Sequence, residues 1–249
     1  MTKQLLIFTI INFVTSILSG ASGGGGGLVT TPLMVILGLS PATAIATAKF
    51  GGLGISAGTS ARFHREKITD NNAVIKLSIL AAIAAIIGSL VLIKIANDTE
   101  LLQKIMGYAV IFVGIPLLYA RNMGTTAKIR GHKSIAAGYV LMFGGIILQV
   151  ILGSGIAALQ MIILMGMFGM TALTASATRR ATQLVVAIVS LGIFIAGGLI
   201  DYKFGAAALT TSLVGGFIGA HIAIKRGNKF VVNLFAIVSA LLAIELIFG

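Results

Sequence analysis

Cysteine and tryptophan are absent from the sequence, and charged side chains are scarce. Charged residues make up 10% of the 249 residues, whereas an average soluble domain has about 25%. The absence of cysteine excludes disulfides, thiolate metal ligands and cysteine nucleophiles. The scarcity of charge excludes an ordinary soluble enzyme, and a chain this apolar can always bury surface, which excludes disorder.

Apolar residues dominate what is present, at 57% of the chain, and the mean hydropathy is +1.08. This composition is typical of a polytopic membrane protein. A net charge of +12 would indicate nucleic-acid binding in a soluble protein, but in membrane proteins Lys and Arg gather in cytoplasmic loops. We therefore predict a multi-pass protein of the cell membrane, with the lipid bilayer rather than nucleic acid as its partner.

Apolar stretches separated by charge, glycine or proline predict an all-α polytopic membrane protein. Two stretches, 28–38 and 155–169, are shorter than the roughly 20 residues of a membrane span. Each follows a glycine break, at 23–27 or at 153–155, so each is either a half-helix that re-enters the membrane or a tilted short span. The full set is 4–20, 28–38, 41–61, 71–95, 101–120, 134–152, 155–169, 172–197, 204–224 and 230–248.

The chain contains an internal duplication. A shift of 131 residues aligns 24–118 with 155–249 without a gap, and 18 of the 95 pairs are identical. Polar matches in this register, such as Asp70 with Asp201, are not explained by shared apolar composition. We therefore predict two repeats of about five helical segments each, with glycine-broken short helices: 1–120 and 134–249, joined by a basic linker at 121–133.

Loop charges predict how the repeats are oriented. The loop at 120–133 contains four basic residues and no acid, so the positive-inside rule places it in the cytoplasm. Counting spans from there places the basic loop at 62–67 inside and the loops at 96–100 and 201–203 outside. Equivalent loops of the two halves then lie on opposite sides, which is the inverted repeat of many secondary transporters.

Three basic residues, Lys49, Arg179 and Arg180, lie far from any loop. Ser40 is a predicted helix cap, and Lys49 follows it by nine residues, or about 13–14 Å along the axis. Thr171 is the equivalent cap, and Arg180 lies nine residues beyond it. Lys49 and Arg180 are therefore repeat partners near the middle of a hydrocarbon core about 30 Å thick.

None of the six acids lies in the middle of an apolar stretch. An unpaired charge at the bilayer centre costs at least about 2.5–3.5 kcal/mol, so we predict that an anionic substrate supplies the counter-charge. The alternative is that the cations reach a surface or bond backbone carbonyls at helix breaks. Thr47, Thr178 and Gln183 are predicted to donate hydrogen bonds to the substrate, although threonines also often bond the carbonyl four residues back.

The glycine breaks provide a second predicted binding element. Helix N-termini with free N–H groups favour anions, and a break of this kind occurs at the corresponding point of each repeat. We expect Gly24, Gly25, Ser154 and Gly155 to offer backbone N–H groups to the substrate. No strand precedes either break, so neither is a dinucleotide-binding motif.

Several segments of the first half resemble a known signature: Gly23-Gly24-Gly25-Gly26-Gly27-Leu28, Pro32-Leu33, Gly38-Leu39-Ser40-Pro41 and Ala44-Ile45-Ala46-Thr47. They are similar to the first-half signature of the sulfite exporter TauE/SafE family, and Ala175-Ser176-Ala177-Thr178 resembles its weaker second repeat. The resemblance covers nearly the whole chain. It implies transport, with export favoured, of a small sulfur-containing anion such as sulfite or an organosulfonate.

The sequence thus predicts a secondary transporter that works by alternating access around one central cationic site. A passive anion channel is the alternative, and it would share the same cations. An intramembrane enzyme lacks support, because His64, His132 and His221 all lie at or near loops. No catalytic residue, metal site or cofactor is predicted, and the coupling ion (proton or sodium) and the oligomeric state stay open.

Overall fold

A computed structural model describes residues 2–24, 27–98, 100–102, 124–153 and 156–248. All of the regular secondary structure in these ranges is helical, which confirms the predicted all-α fold. The predicted stretch at 101–120 lies almost entirely outside the described residues. The described helices are α1 (Thr2–Ser22), α2 (Gly27–Ile36), α3 (Pro41–Arg65), α4 (Asn71–Ile95), α5 (His132–Leu152), α6 (Ala157–Gly166), α7 (Ala172–Ala196) and α8 (Tyr202–Phe248).

Five of these helices are long and apolar enough to cross a membrane: α1, α4, α5, α7 and the 202–237 part of α8. Helices α2 and α6 have 10 residues each, so each is about 15 Å long and covers half of a hydrocarbon core. The two segments are as short as their sequences predict. Whether they cross the membrane or re-enter it stays a prediction.

The helix boundaries follow the 131-residue shift found in the sequence. Helix α3 begins at Pro41 and α7 at Ala172, and both have 25 residues. Ser40 and Thr171 cap them as predicted, each accepting a hydrogen bond from the backbone N–H three residues on. Helix α8 is interrupted at Gly227, where φ is 79°, which corresponds to the end of α4. The inverted orientation of the halves stays a prediction.

Helix α3 is less apolar than a helix that faces lipid, and other helices largely surround it. Fifteen of its 25 residues are buried, and it packs against α7 and α8. The contact with α8 is very close: a Cβ at Gly54 or Gly58 would meet the carbonyl oxygens of Leu209 or Leu213. Small residues allow such approach of helix backbones in membranes, and here they fix the position of α3 at the centre of the fold.

The outer surface of the described helices is apolar where lipid would contact it. On α4, Ile75, Ile79 and Ile83 are 61%, 64% and 51% exposed and lie four residues apart, so they form one stripe along the helix. The opposite face of α4 is buried against α5 and α7. This inside-out pattern is what a lipid-facing helix needs, since exposed apolar side chains are favourable in hydrocarbon.

Candidate functional site

A central cavity of about 50 Å³ lies among the helices and is lined by both halves of the chain. Lys49 of α3 lines it together with Arg179, Arg180 and Gln183 of α7. These four predicted site residues therefore come together. Since one water needs about 10–15 Å³ of such space, the cavity accommodates a few waters or one small ion. Further polar lining residues are Ser16, Ser19, Thr30, Ser56, Gln149 and Ser212.

Lys49 enters the cavity from the middle of α3 and is 8% exposed. Its Nζ donates to the backbone carbonyl of Gln149 at 3.3 Å. An ammonium has three N–H donors, and this long contact is the one hydrogen bond that the described residues give it. Lys49 is therefore held in place loosely and keeps donors for another partner.

Arg180 faces the same cavity and is 5% exposed. One terminal nitrogen, Nη2, donates to the carbonyl and the hydroxyl of Ser19 at 2.8 and 2.7 Å. The Nε atom is buried and has no hydrogen-bond partner among the described residues. A buried, unsatisfied donor on a cation is costly, so the described residues satisfy the Arg180 guanidinium only in part.

Arg179 has a different environment although it is the next residue along α7. Its Nε and Nη2 donate to the carbonyl of Gly23 at 3.1 and 2.6 Å, and Nη1 contacts Gln160 Oε1 at 3.5 Å. Gly23 ends α1 with φ of 78°, a conformation that favours glycine. Arg179 therefore fastens the turn between α1 and α2 to α7, and its donors are largely occupied.

Three glutamine side chains form a buried amide cluster beside the cations. Gln183 Nε2 donates to Gln149 Oε1 at 2.7 Å and to Gln160 Oε1 at 3.2 Å. Gln160 Nε2 also donates to Gln149 Oε1 at 2.8 Å. Sequence reasoning identified Gln183 but missed Gln149 and Gln160. A lone amide inside each of two apolar helices was the available signal, because such amides usually bond across helices.

A second polar cluster, also missed from the sequence, lies where α1 meets α8. Asn12 Nδ2 donates to Thr211 Oγ1 at 2.8 Å and to Ser212 Oγ at 2.9 Å, and its Oδ1 accepts from Thr30 at 2.9 Å. The Ser16 and Ser212 hydroxyls are 2.9 Å apart. This cluster supplies neutral, hydroxyl-rich lining to the cavity wall that faces the cations.

Thr47 and Thr178 do not line the cavity. Both are fully buried, and their hydroxyls accept hydrogen bonds from backbone N–H groups of the other half. Thr47 accepts from Asp201 at 3.0 Å and Thr178 accepts from Asp70 at 3.3 Å. The two contacts are related by the same 131-residue shift. They join α3 to the start of α8, and α7 to the start of α4.

The glycine breaks are only partly described. Gly24 does not line the cavity; its N–H donates to Ser22 Oγ at 3.4 Å. A Cβ at Gly24 would lie 3.7 Å from Ala157, the first residue of α6. The start of α6 therefore lies near the glycine break that follows α1. Gly25, Ser154 and Gly155 lie outside the described residues, so their predicted N–H contacts stay predictions.

The lining of the cavity is strongly cationic. It includes three basic side chains and, within the described part of the chain, no carboxylate. The ion pair found among the described residues, Arg62 with Glu66 at 2.8 Å, lies away from the cavity, and Glu66 is 46% exposed. The described His, Asp and Glu side chains do not gather in groups of three that could hold a metal ion. A lining with this charge is complementary to an anion.

Comparisons with known proteins agree with a membrane transporter. The chain is 21% identical to a probable membrane transporter protein of Haemophilus influenzae, over 98% of this chain and 94% of that protein. It is 24% identical to the probable membrane transporter protein YfcA of Escherichia coli, over 90% and 83%. A probable membrane transporter protein, ORF9, of a Sinorhizobium species is 24% identical over 94% and 89%. No solved structure matches the chain.

The family comparison covers nearly the whole chain. Residues 8–246 match the family described as sulfite exporter TauE/SafE, which includes every described helix around the cavity. The names of the family and of the relatives are those of transporters rather than enzymes. The protein is a multi-pass membrane transporter, and it belongs to the sulfite exporter TauE/SafE family.

Proposed function

We propose that this transporter is a secondary carrier of a small sulfur-containing oxyanion, sulfite or an organosulfonate, which binds between Lys49 and Arg180. The observation that carries the proposal is three buried cations around one small cavity whose described lining contains no carboxylate. Insertion of each unpaired charge costs about 2.5–3.5 kcal/mol. A bound anion compensates this charge, so the cavity suits the anion-bound state of the transporter better than the empty state.

The three cations differ in how many of their hydrogen-bond donors are already used, which indicates different roles for them. Lys49 has one long hydrogen bond, and Arg180 has a buried Nε without a described partner. These two groups bind the anion in the proposed site. Arg179 donates to Gly23 and Gln160, so we assign it to holding the turn between α1 and α2 rather than to substrate.

The neutral lining gives the site its selectivity. Ser19 and Ser56 lie in the cavity wall and carry hydroxyl groups that can donate to the oxygen atoms of an oxyanion, whereas both donors of Gln183 are used within the amide cluster. A cavity of about 50 Å³ accepts an ion of one sulfur and three oxygens or a short sulfonate, and it excludes large organic anions. The family name supports sulfite among these ions.

Alternating access is the proposed transport mechanism. The paired contacts of Thr47 with Asp201 and of Thr178 with Asp70 support two related arrangements of α3 and α7 against the opposite halves. Opening of one contact at a time would expose the cavity to one side. We further propose that the loop at 120–133 faces the cytoplasm of a cell-membrane protein, as its basic residues indicate, and that export is the physiological direction.

An uptake panel in proteoliposomes tests the function. Reconstituted protein is offered sulfite, sulfoacetate, sulfate and acetate, with defined proton and sodium gradients. We expect saturable uptake of sulfite or sulfoacetate, with sulfate and acetate slower. Flux that rises linearly with concentration would instead indicate a channel, and equal rates for all four anions would contradict the proposed selectivity.

A matched pair of lysine variants checks that the cavity carries this flux. Lys76 is exposed on α4 and lies outside the cavity, so Lys76→Gln should leave uptake at the wild-type rate. Lys49→Gln removes the same charge from the cavity and should abolish most uptake. Similar uptake in both variants would place the transport pathway elsewhere.

A further inference from the structure

Among the described residues that line the cavity, Lys49 alone has a side chain that can be charged or neutral in proteins, because a buried lysine can lose its proton. Arginine keeps its proton in proteins, which leaves Arg179 and Arg180 permanently charged. Glutamine, serine and threonine side chains do not titrate in this range. The described lining contains no Asp, Glu or His. If protons accompany the anion, Lys49 is the group that can hold them.

The groups that face Lys49 come from every helix packed around the cavity. Helix α7 presents the two arginines, and the other helices present neutral groups. The cavity therefore has three positive charges when Lys49 is protonated and two when it is neutral. An anion with one or two negative charges is compensated better in the first case, so binding of the anion and of the proton favour each other.

The position of Lys49 suits both protonation states. Its Nζ donates to the Gln149 carbonyl at 3.3 Å. An ammonium and a neutral amine both have N–H groups that can donate to this carbonyl. The contact therefore keeps the side chain at the cavity through a cycle of proton gain and loss.

We propose that Lys49 carries one proton with each anion, in the same direction; this inference rests on the proposed function. At one membrane face the Lys49 amine takes a proton from water, forming an N–H bond, and the anion then binds. At the other face the anion leaves and the N–H bond breaks, returning the proton to water there. The cycle moves one anion and one proton and needs no other reactant.

Gradient-driven accumulation in proteoliposomes tests the proposal. Sulfoacetate is the probe, because its sulfonate and its carboxylate both stay ionised between about pH 6 and 8. The membrane potential is clamped, and a gradient of one pH unit is applied. With one proton per anion, wild-type protein should accumulate sulfoacetate about tenfold on the alkaline side, and a trapped pH dye should register about one proton per anion.

Two variants separate proton coupling from anion binding. Lys49→Arg keeps a cation that cannot release its proton, so anion exchange should continue at a reduced rate with an accumulation ratio of about one. Arg180→Gln weakens binding but leaves Lys49 as the one lysine of the described lining, so the sulfoacetate that it still moves should accumulate about tenfold. Lys76→Arg, at an exposed position on α4, should behave as wild type.

Failure of proton coupling and failure of the proposed function give different results. Wild-type protein that moves sulfoacetate without protons would overturn the proposal, and so would Lys49→Arg that still accumulates the anion about tenfold. A wild-type count of zero protons per anion overturns the proposal even where Lys49→Arg does not fold. Failure of the proposed function looks different: neither sulfoacetate nor sulfite would then raise the melting temperature of wild-type protein or enter the vesicles.

Discussion

Replacement of Lys49 with methionine should weaken anion binding and stabilise the empty protein at the same time. Methionine keeps the length and much of the volume of lysine but removes the charge. Lys49 is 8% exposed and has one hydrogen bond, at 3.3 Å. The variant therefore separates the cost of the buried charge from the packing of the side chain.

The expected magnitudes follow from these contacts. Truncation of one partner of a buried charged contact costs about 2–5 kcal/mol, so affinity for sulfite should fall roughly 30-fold or more. Removal of an unpaired buried charge should recover about 2.5–3.5 kcal/mol of stability, while loss of one hydrogen bond costs about 0.5–1.5 kcal/mol. The net gain is about 1–3 kcal/mol, or about 2–12 °C in Tm for a chain of this size.

Both quantities should be measured on the same purified protein. Isothermal titration with sulfite gives the affinity, and thermal unfolding without anion gives the stability. Lys76→Met, at an exposed position on α4, is the matched control and should change neither quantity by as much. A Lys49→Met protein that melts earlier than wild type and binds sulfite normally would refute the reasoning, because Lys49 would then be structural.

Three further predictions concern the framework around the cavity. Arg179→Met also removes a buried charge, but it leaves the carbonyl of Gly23 without its donors, so thermal unfolding should show none of the gain expected for Lys49→Met, with a smaller change in sulfite affinity than Arg180→Met produces. Gly58→Leu should lower Tm and expression, because α8 leaves no space for a side chain there; wild-type Tm would show that the close contact is absent. Since the chain has no cysteine, single cysteines substituted for Lys67 and Asp201 report the topology. An impermeant maleimide should label the cysteine at 201 from outside the cell and the cysteine at 67 only after permeabilisation. Labelling of both from one side would contradict the inverted repeat.

Much of the site could be predicted because helix geometry is local. Counting residues from the caps Ser40 and Thr171 places Lys49 and Arg180 at equal depth, and the structure brings both to one cavity. Hydropathy and the repeat register are independent signals, and both can be read without knowing how the helices pack. The lengths of the short helices follow for the same reason.

The division of roles between Arg179 and Arg180 could not be predicted from the sequence. Neighbouring residues on a helix differ by about 100° in direction, so only the packing of α7 decides which of them meets Gly23 and which meets Ser19. These partners lie 156 and 161 residues away. No local pattern contains such distances.

The prediction that Thr47 and Thr178 contact the substrate likewise lacks information on how the helices pack. Each follows its helix cap, Ser40 or Thr171, by seven residues, which is visible in the sequence, but their backbone partners at Asp201 and Asp70 are 154 and 108 residues away. The glutamine cluster was missed because its members come from three helices. Each glutamine by itself is a weak signal, and only packing shows that they meet.

The location of a bound anion tests the central claim most directly. Crystals of the protein soaked with selenite, a pyramidal analogue of sulfite, allow selenium to be located by its anomalous scattering. Charge-assisted N–H contacts to oxygen of about 2.7–2.9 Å would place selenium within about 4 Å of both Lys49 Nζ and the nearest guanidinium nitrogen of Arg180. An anomalous peak there is the predicted result. A cavity without selenium in crystals that bind it elsewhere would contradict the account.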